Sequence, residues 1–71
     1  MRYLVILEHG DRSWGVHVPD IPGCVAVAET KDEALRLIGE AVDLHLEELR
    51  RSGDPLPQPC SESAFVETSV A

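Results

Sequence analysis

SWGVHVPDIPGCVAVAET, residues 13–30, decides the fold. Its first six residues alternate, with Trp14, Val16 and Val18 on one face and Ser13, Gly15 and His17 on the other. Such alternation marks a half-buried strand, because successive side chains of extended backbone point to opposite faces. Pro19-Asp20-Ile21-Pro22-Gly23 then halts the strand, since two prolines and a glycine in five residues force a shaped loop. CVAVA, residues 24–28, reads as a short strand. Thr30 stands where a helix N-cap belongs, and Glu33 three residues on would complete a capping box.

On the N-terminal side, residues 2–9 (RYLVILEH) are rich in β-branched and large apolar side chains. Tyr3, Val5 and Leu7 share one face, Leu4 and Ile6 the other, which suits a strand covered on two sides. His9-Gly10-Asp11-Arg12 reads as the turn of a hairpin joining this strand to the next. On the C-terminal side, a helix is predicted over residues 31–52. Asp32 and Glu33 complement its positive first turn, and Arg50 and Arg51 its negative last turn. Gly53 is a natural C′ residue and Pro55 cannot continue a helix. At 100° per residue, Ala34, Ile38, Ala41, Val42, His45 and Leu49 form one apolar stripe, edged by Leu35 and Leu46. Arg36, Glu40, Asp43, Glu47 and Arg50 lie opposite. Leu37 and Leu44 lie on a flank of the stripe, either as a wider core contact or as a partner surface.

Asp54-Pro55-Leu56-Pro57-Gln58-Pro59 is an extended, stiff connector. Residues 63–70 (SAFVETSV) read as a last strand. The expected order is β-β-β-α-β, an α+β domain with one helix packed on a small mixed sheet, since a strand-helix-strand unit implies a right-handed parallel crossover. One helix covers one sheet face only. The other face needs cover too, so a symmetric oligomer is expected.

Length and charge narrow the function classes. A chain of 71 residues is one domain, 1–71, and buries only about 60% of its unfolded surface, near the lower limit for folding alone. The formal charge of −7 argues against a phosphate-tracking surface, which needs a basic stripe. It suits a basic partner. The apolar runs are far too short for a membrane span, and no signal peptide follows Met1-Arg2, so a cytoplasmic location is expected. Cys24 and Cys60 are widely separated, with no CxxC, and read as two reduced thiols, one of them buried.

Signatures of catalysis are missing. There is no GxSxG, Walker A, GxGxxG or HExxH, and the three histidines have no zinc spacing. No catalytic, cofactor-binding or metal-binding residue is assigned. His45, within the helix stripe, reads as a packed histidine with one hydrogen bond. Asp20, inside the tight loop, either caps backbone N–H groups there or contacts a partner. From the residues alone, the chain is a small acidic α/β module that self-associates and binds something.

Three stretches carry a family resemblance: Trp14-Gly15-Val16-His17-Val18-Pro19-Asp20-Ile21-Pro22-Gly23-Cys24; Glu29-Thr30-Lys31-Asp32-Glu33-Ala34; and Glu40-Ala41-Val42-Asp43-Leu44-His45-Leu46-Glu47. Gly53 and Pro55-Leu56-Pro57-Gln58-Pro59 follow in the same order. Together they closely resemble the HicB-like antitoxin family, over residues 3 to about 60. The resemblance implies a partial ribonuclease-H-like fold without the catalytic carboxylates of true ribonucleases H. It also implies that this domain binds and covers a HicA toxin, a small basic protein that cleaves mRNA. An acidic antitoxin against a basic toxin is sound electrostatics.

Two departures stand out. The family usually has glycine where this chain has Ala28, and many members carry a C-terminal DNA-binding domain. The chain ends at Ala71, so no such domain and no direct DNA binding are expected. On motif and charge, Asp20, Glu40, Asp43 and Glu47 are the candidate partner contacts. The expected partners are a HicA-like toxin and further copies of the chain, as a homodimer or homotetramer. Stand-alone family members exist, so a partnerless homo-oligomer with an unknown ligand is the second reading. A nuclease, by fold analogy alone, ranks last.

Overall fold

The computed structural model describes residues 1–70. Strand β1 (Ile6–His9) is followed by β2 (Trp14–His17), β3 (Val25–Ala28) and helix α1 (Lys31–Ser52). The strands form one antiparallel sheet in the order β1-β2-β3. Its register places Leu7 opposite Val16 and Val16 opposite Ala26, so one face carries the apolar side chains that meet the helix.

The helix has the predicted bounds because its ends are chemically marked. Thr30 is extended (φ −126°, ψ 156°), and its hydroxyl oxygen accepts the Glu33 N–H at 3.1 Å. The capping box is only half formed, because the Glu33 carboxylate turns to the Arg36 guanidinium and not back to residue 30. At the far end Gly53 adopts φ 77°, a conformation that is nearly free for glycine and costly for a residue with a Cβ. The Gly53 N–H then reaches the Arg50 carbonyl (3.2 Å) and the Asp54 N–H the Leu49 carbonyl (2.9 Å). This pair of bonds is the Schellman motif, which satisfies carbonyls the helix leaves open.

Val16, Val18, Ile21, Cys24, Ala34 and Ile38 form the buried core, edged by Tyr3, Val5, Leu7, Trp14, Ala26, Ala28, Ala41, Val42 and Leu46. The PDIPG loop contributes its own anchor, since Ile21 is wholly buried. Hydrogen bonds fix the loop around it, from Ile21 N–H to Val18 O (3.1 Å), Cys24 N–H to Ile21 O (3.2 Å) and Val18 N–H to Cys24 O (3.1 Å).

The α+β class and the β-β-β-α order are as expected. Three details differ. The first strand pairs only from Ile6, because its partner β2 ends at His17 and Val18 turns away to bond Cys24. Residues 63–70 make no strand among the described residues: they have no regular secondary structure, are exposed and pair with no strand. With that strand unpaired, the sheet is antiparallel throughout and not mixed. A strand needs a neighbouring backbone to bond, and residues 63–70 bond none in the single chain.

Candidate partner-binding surfaces

The acidic face of α1 is built by helical periodicity. Glu40, Asp43 and Glu47 fall within about 60° of one another at 100° per residue, on the side away from the sheet. Two of the three are already partnered. Arg36 bridges Glu33, three residues before it, and Glu40, four residues after it, and Arg50 grips Glu47 through 2.9 and 3.1 Å contacts. Such exposed pairs add little stability, but they offset the charge a partner would meet. Arg36 holds the Glu33 carboxyl below the usual carboxylate range by hydrogen bonding, and Glu33 in turn raises the Arg36 guanidinium. Asp43 is exposed and has no ion pair among the described residues. It is the barest negative charge of the three.

Asp20 lies elsewhere. Its carboxylate accepts four hydrogen bonds from the tail: from the Cys60 and Ser61 N–H groups (both 2.9 Å), the Ser61 hydroxyl (2.7 Å) and the Cys60 thiol (3.3 Å). It therefore caps backbone N–H groups, although those of a segment some 40 residues away and not those of its own loop. The Ser61 hydroxyl and N–H bonds, with the Cys60 bonds adding to them, hold the Asp20 carboxyl at about 2. The same carboxylate pushes the Cys60 thiol up, first by accepting the hydrogen bond of the protonated thiol and then by opposing a thiolate with a like charge. The Tyr3 hydroxyl donates to the Pro57 carbonyl and ties the connector to β1. Among the described residues, no hydrogen bond or ion pair joins Asp20 to the helix carboxylates. The structure thus brings Glu40, Asp43 and Glu47 together and places Asp20 in a loop-to-tail latch. Sequence spacing carries no signal for that latch.

The third surface is the sheet face away from α1. The register sets Ile6, His17 and Val25 in one row and Glu8, Gly15 and Val27 in the next. Ile6, Val25 and Val27 are exposed there, so the face that Ser13, Gly15 and His17 would make polar is flanked by bare aliphatic side chains. Beside it, at the β3 edge, a shallow cleft of about 210 Å³ is lined by Cys24, Val25, Leu44 and His45 among others. Leu44 is exposed, so this member of the helix flank belongs to the surface and not to a wider core. His45 is half-buried as expected, but its ring makes no protein hydrogen bond among the described residues.

Both cysteines are free, Cys24 buried and Cys60 exposed. Burial pushes the Cys24 thiol up. At the open end of the sheet, His9 stacks on Trp14 (ring centroids 4.1 Å apart, planes 5° from parallel), and the Lys31 ammonium sits 5.9 Å from the Trp14 ring. These contacts close the rim of the core. Among the described residues, no group of three or more His, Cys, Asp or Glu side chains is placed to hold a metal ion. No helix of the described residues is long and apolar enough to cross a membrane.

A three-stranded sheet with one capped helix, an acidic helix face and an open aliphatic sheet face define a small α+β domain. The chain belongs to the HicB-like antitoxins of bacterial toxin-antitoxin systems, whose family model matches residues 3–69. It is 36% identical to UPF0150 protein Ta0767 of Thermoplasma acidophilum, over 93% of this chain and 97% of that one. It is also 36% identical to Antitoxin HicB 2 of Photorhabdus laumondii, over 100% of this chain and 52% of the relative. A UPF0150 protein of Archaeoglobus fulgidus is 35% identical over 66% of this chain and 70% of its own length. The chain thus spans nearly the whole of Ta0767 but about half of HicB 2. No solved structure gives a significant match.

Proposed function

We propose that the chain neutralises a small basic, mRNA-cleaving toxin of the HicA type by direct binding in the cytoplasm, and that its role is binding and not catalysis. Membership of an antitoxin family over residues 3–69 carries the reading. The formal charge of −7 and the Glu40–Asp43–Glu47 face support it, because opposite fields steer encounter and suppress wrong partners. We take Asp43 as the leading contact of that face, with Glu40 and Glu47 available once Arg36 and Arg50 swing away. Asp20 acts indirectly, by holding the tail against the loop. The β-β-β-α order is compatible with a partial ribonuclease-H-like domain. The test is co-expression with a basic toxin gene from the same operon. The chain should restore growth, and reversal at Asp43 and Glu40 to lysine should slow association and flatten its salt dependence more than it speeds dissociation. Growth unchanged by the chain contradicts the reading.

A second reading rests on Ta0767, whose whole length this chain nearly matches. In that reading the chain is a homo-oligomer, dimer or tetramer, that binds another ligand. Both readings include self-association, since the aliphatic sheet face lies bare in the single chain.

A further inference from the structure

The tail is held tightly and then released. Asp20 fixes Cys60 and Ser61, and Tyr3 fixes Pro57. Beyond Ser61, the one hydrogen bond among the described residues is local, from the Val70 N–H to the Thr68 hydroxyl. Yet this stretch carries large apolar side chains: Phe65 is 103% exposed, Val66 91% and Val70 78%. A free apolar tail of that kind is costly in water and is unusual unless something covers it. The shape shows the same thing. The radius of gyration is 14.4 Å and the long axis 50 Å, whereas a compact chain of this length has a radius of about 11 Å.

The molecule also has a matching acceptor. β1 is an edge strand, so the outer N–H and C=O groups of Ile6–His9 are unpaired. The tail leaves the body beside the start of this strand, where Arg2, Tyr3 and Leu4 face Ser61, Glu62 and Ser63 across an open cleft of about 640 Å³. Within the single chain, no hydrogen bond among the described residues joins the tail beyond Ser61 to β1. A second copy related by a twofold axis near this cleft would meet each tail with the other's free edge.

We propose that residues 64–70 pair as a strand on the β1 edge of a second copy, reciprocally, so that two chains exchange their tails. Seven extended residues reach about 23 Å, more than enough to run the length of β1. The exchange satisfies the edge groups of both sheets and sets Phe65, Val66 and Val70 of each tail against the other copy. The Asp20 latch aims the tail outward and thereby sets where it crosses. This inference rests on the self-association proposed above and is independent of the toxin.

The test uses the full chain and the Phe65→Pro/Val66→Pro double variant. Neighbouring N–H groups in a strand point to opposite sides, so one of the two substitutions must remove a donor to β1. In sedimentation velocity at micromolar concentration, the unmodified chain should be a dimer or a multiple of one. The double variant should be a monomer with the same far-ultraviolet circular dichroism in the helical bands. Refolded mixtures of two differently labelled copies should show nuclear Overhauser contacts from Val66 methyls to β1 amides of the other label. A monomeric unmodified chain overturns self-association and the exchange together. An oligomer that survives the double variant overturns the exchange alone, as do Val66 contacts confined to like-labelled chains.

Discussion

Replacing Ile21 by alanine should remove a large part of the domain's stability, although Ile21 sits in a loop. The side chain is completely buried among Val16, Val18, Cys24, Ala34 and Ile38, and hydrogen bonds hold the loop backbone around it. Truncation deletes three carbons, worth roughly 2.4 kcal/mol at about 0.8 kcal/mol each. The cavity left behind raises the loss to about 3–4 kcal/mol, within the usual range for such changes. A chain of 71 residues has about 4–11 kcal/mol of total stability, so the variant should be near the edge of folding. Ile21→Val, which removes one carbon, should cost only about 0.5–1.5 kcal/mol. Urea unfolding followed by circular dichroism, at one fixed protein concentration because association also contributes, measures both. A loss under about 1 kcal/mol for the alanine variant would place Ile21 among surface positions and refute the account of how this loop is held.

The other predictions concern the caps and the latch. Thr30→Ala should cost about 1 kcal/mol by freeing the Glu33 N–H, and urea midpoints will show it. Gly53→Ala should cost about 1–2 kcal/mol, because its φ of 77° is left-handed, even though a Cβ there would meet nothing. The Asp20 carboxyl, titrated by nuclear magnetic resonance, should have its midpoint at about 2 in place of the ordinary 3.8. A lowered value means the latch is fully effective above the ordinary value and is lost as pH falls through the lowered one, so tail contacts should persist at pH 4 and disappear towards pH 2. Asp20→Asn removes the carboxylate whose hydrogen bond and charge raise the Cys60 thiol, so Cys60 should react faster with a thiol reagent just above neutral pH, while buried Cys24 stays slow.

What the sequence revealed was local. Thr30 and Gly53 stand at the two ends of the helix, and each end is set by bonds to its own neighbours, so both boundaries were legible residue by residue. The acidic face was legible for the same reason, since a fixed angle per residue places Glu40, Asp43 and Glu47 together. Contacts between distant segments were not. Ile21 looks like one apolar residue in a polar turn, and only the folded loop shows it as the plug of the core. Its one cue is an isoleucine set between two prolines. The Asp20 latch joins positions 20 and 61, and nothing in either neighbourhood points to the other. The strand expected over residues 63–70 has the right composition, but a strand exists only by pairing, and the tail pairs with no edge of its own chain. His17 shows the same limit: its own strand alternates cleanly, while Ile6 and Val25 on the flanking strands, set beside it only by the fold, make its face aliphatic.

The most direct test of the binding role is recovery of the partner from native cells. The tagged chain is used as bait at low and then moderate salt, and captured proteins are identified by mass and assayed for ribonuclease activity. The account predicts a small basic protein that cleaves mRNA when freed, falls silent when the chain is added back, and is lost as salt rises or when Glu40 and Asp43 are reversed. Recovery of the chain with copies of itself alone would contradict the toxin-neutralising reading and leave the homo-oligomer in its place.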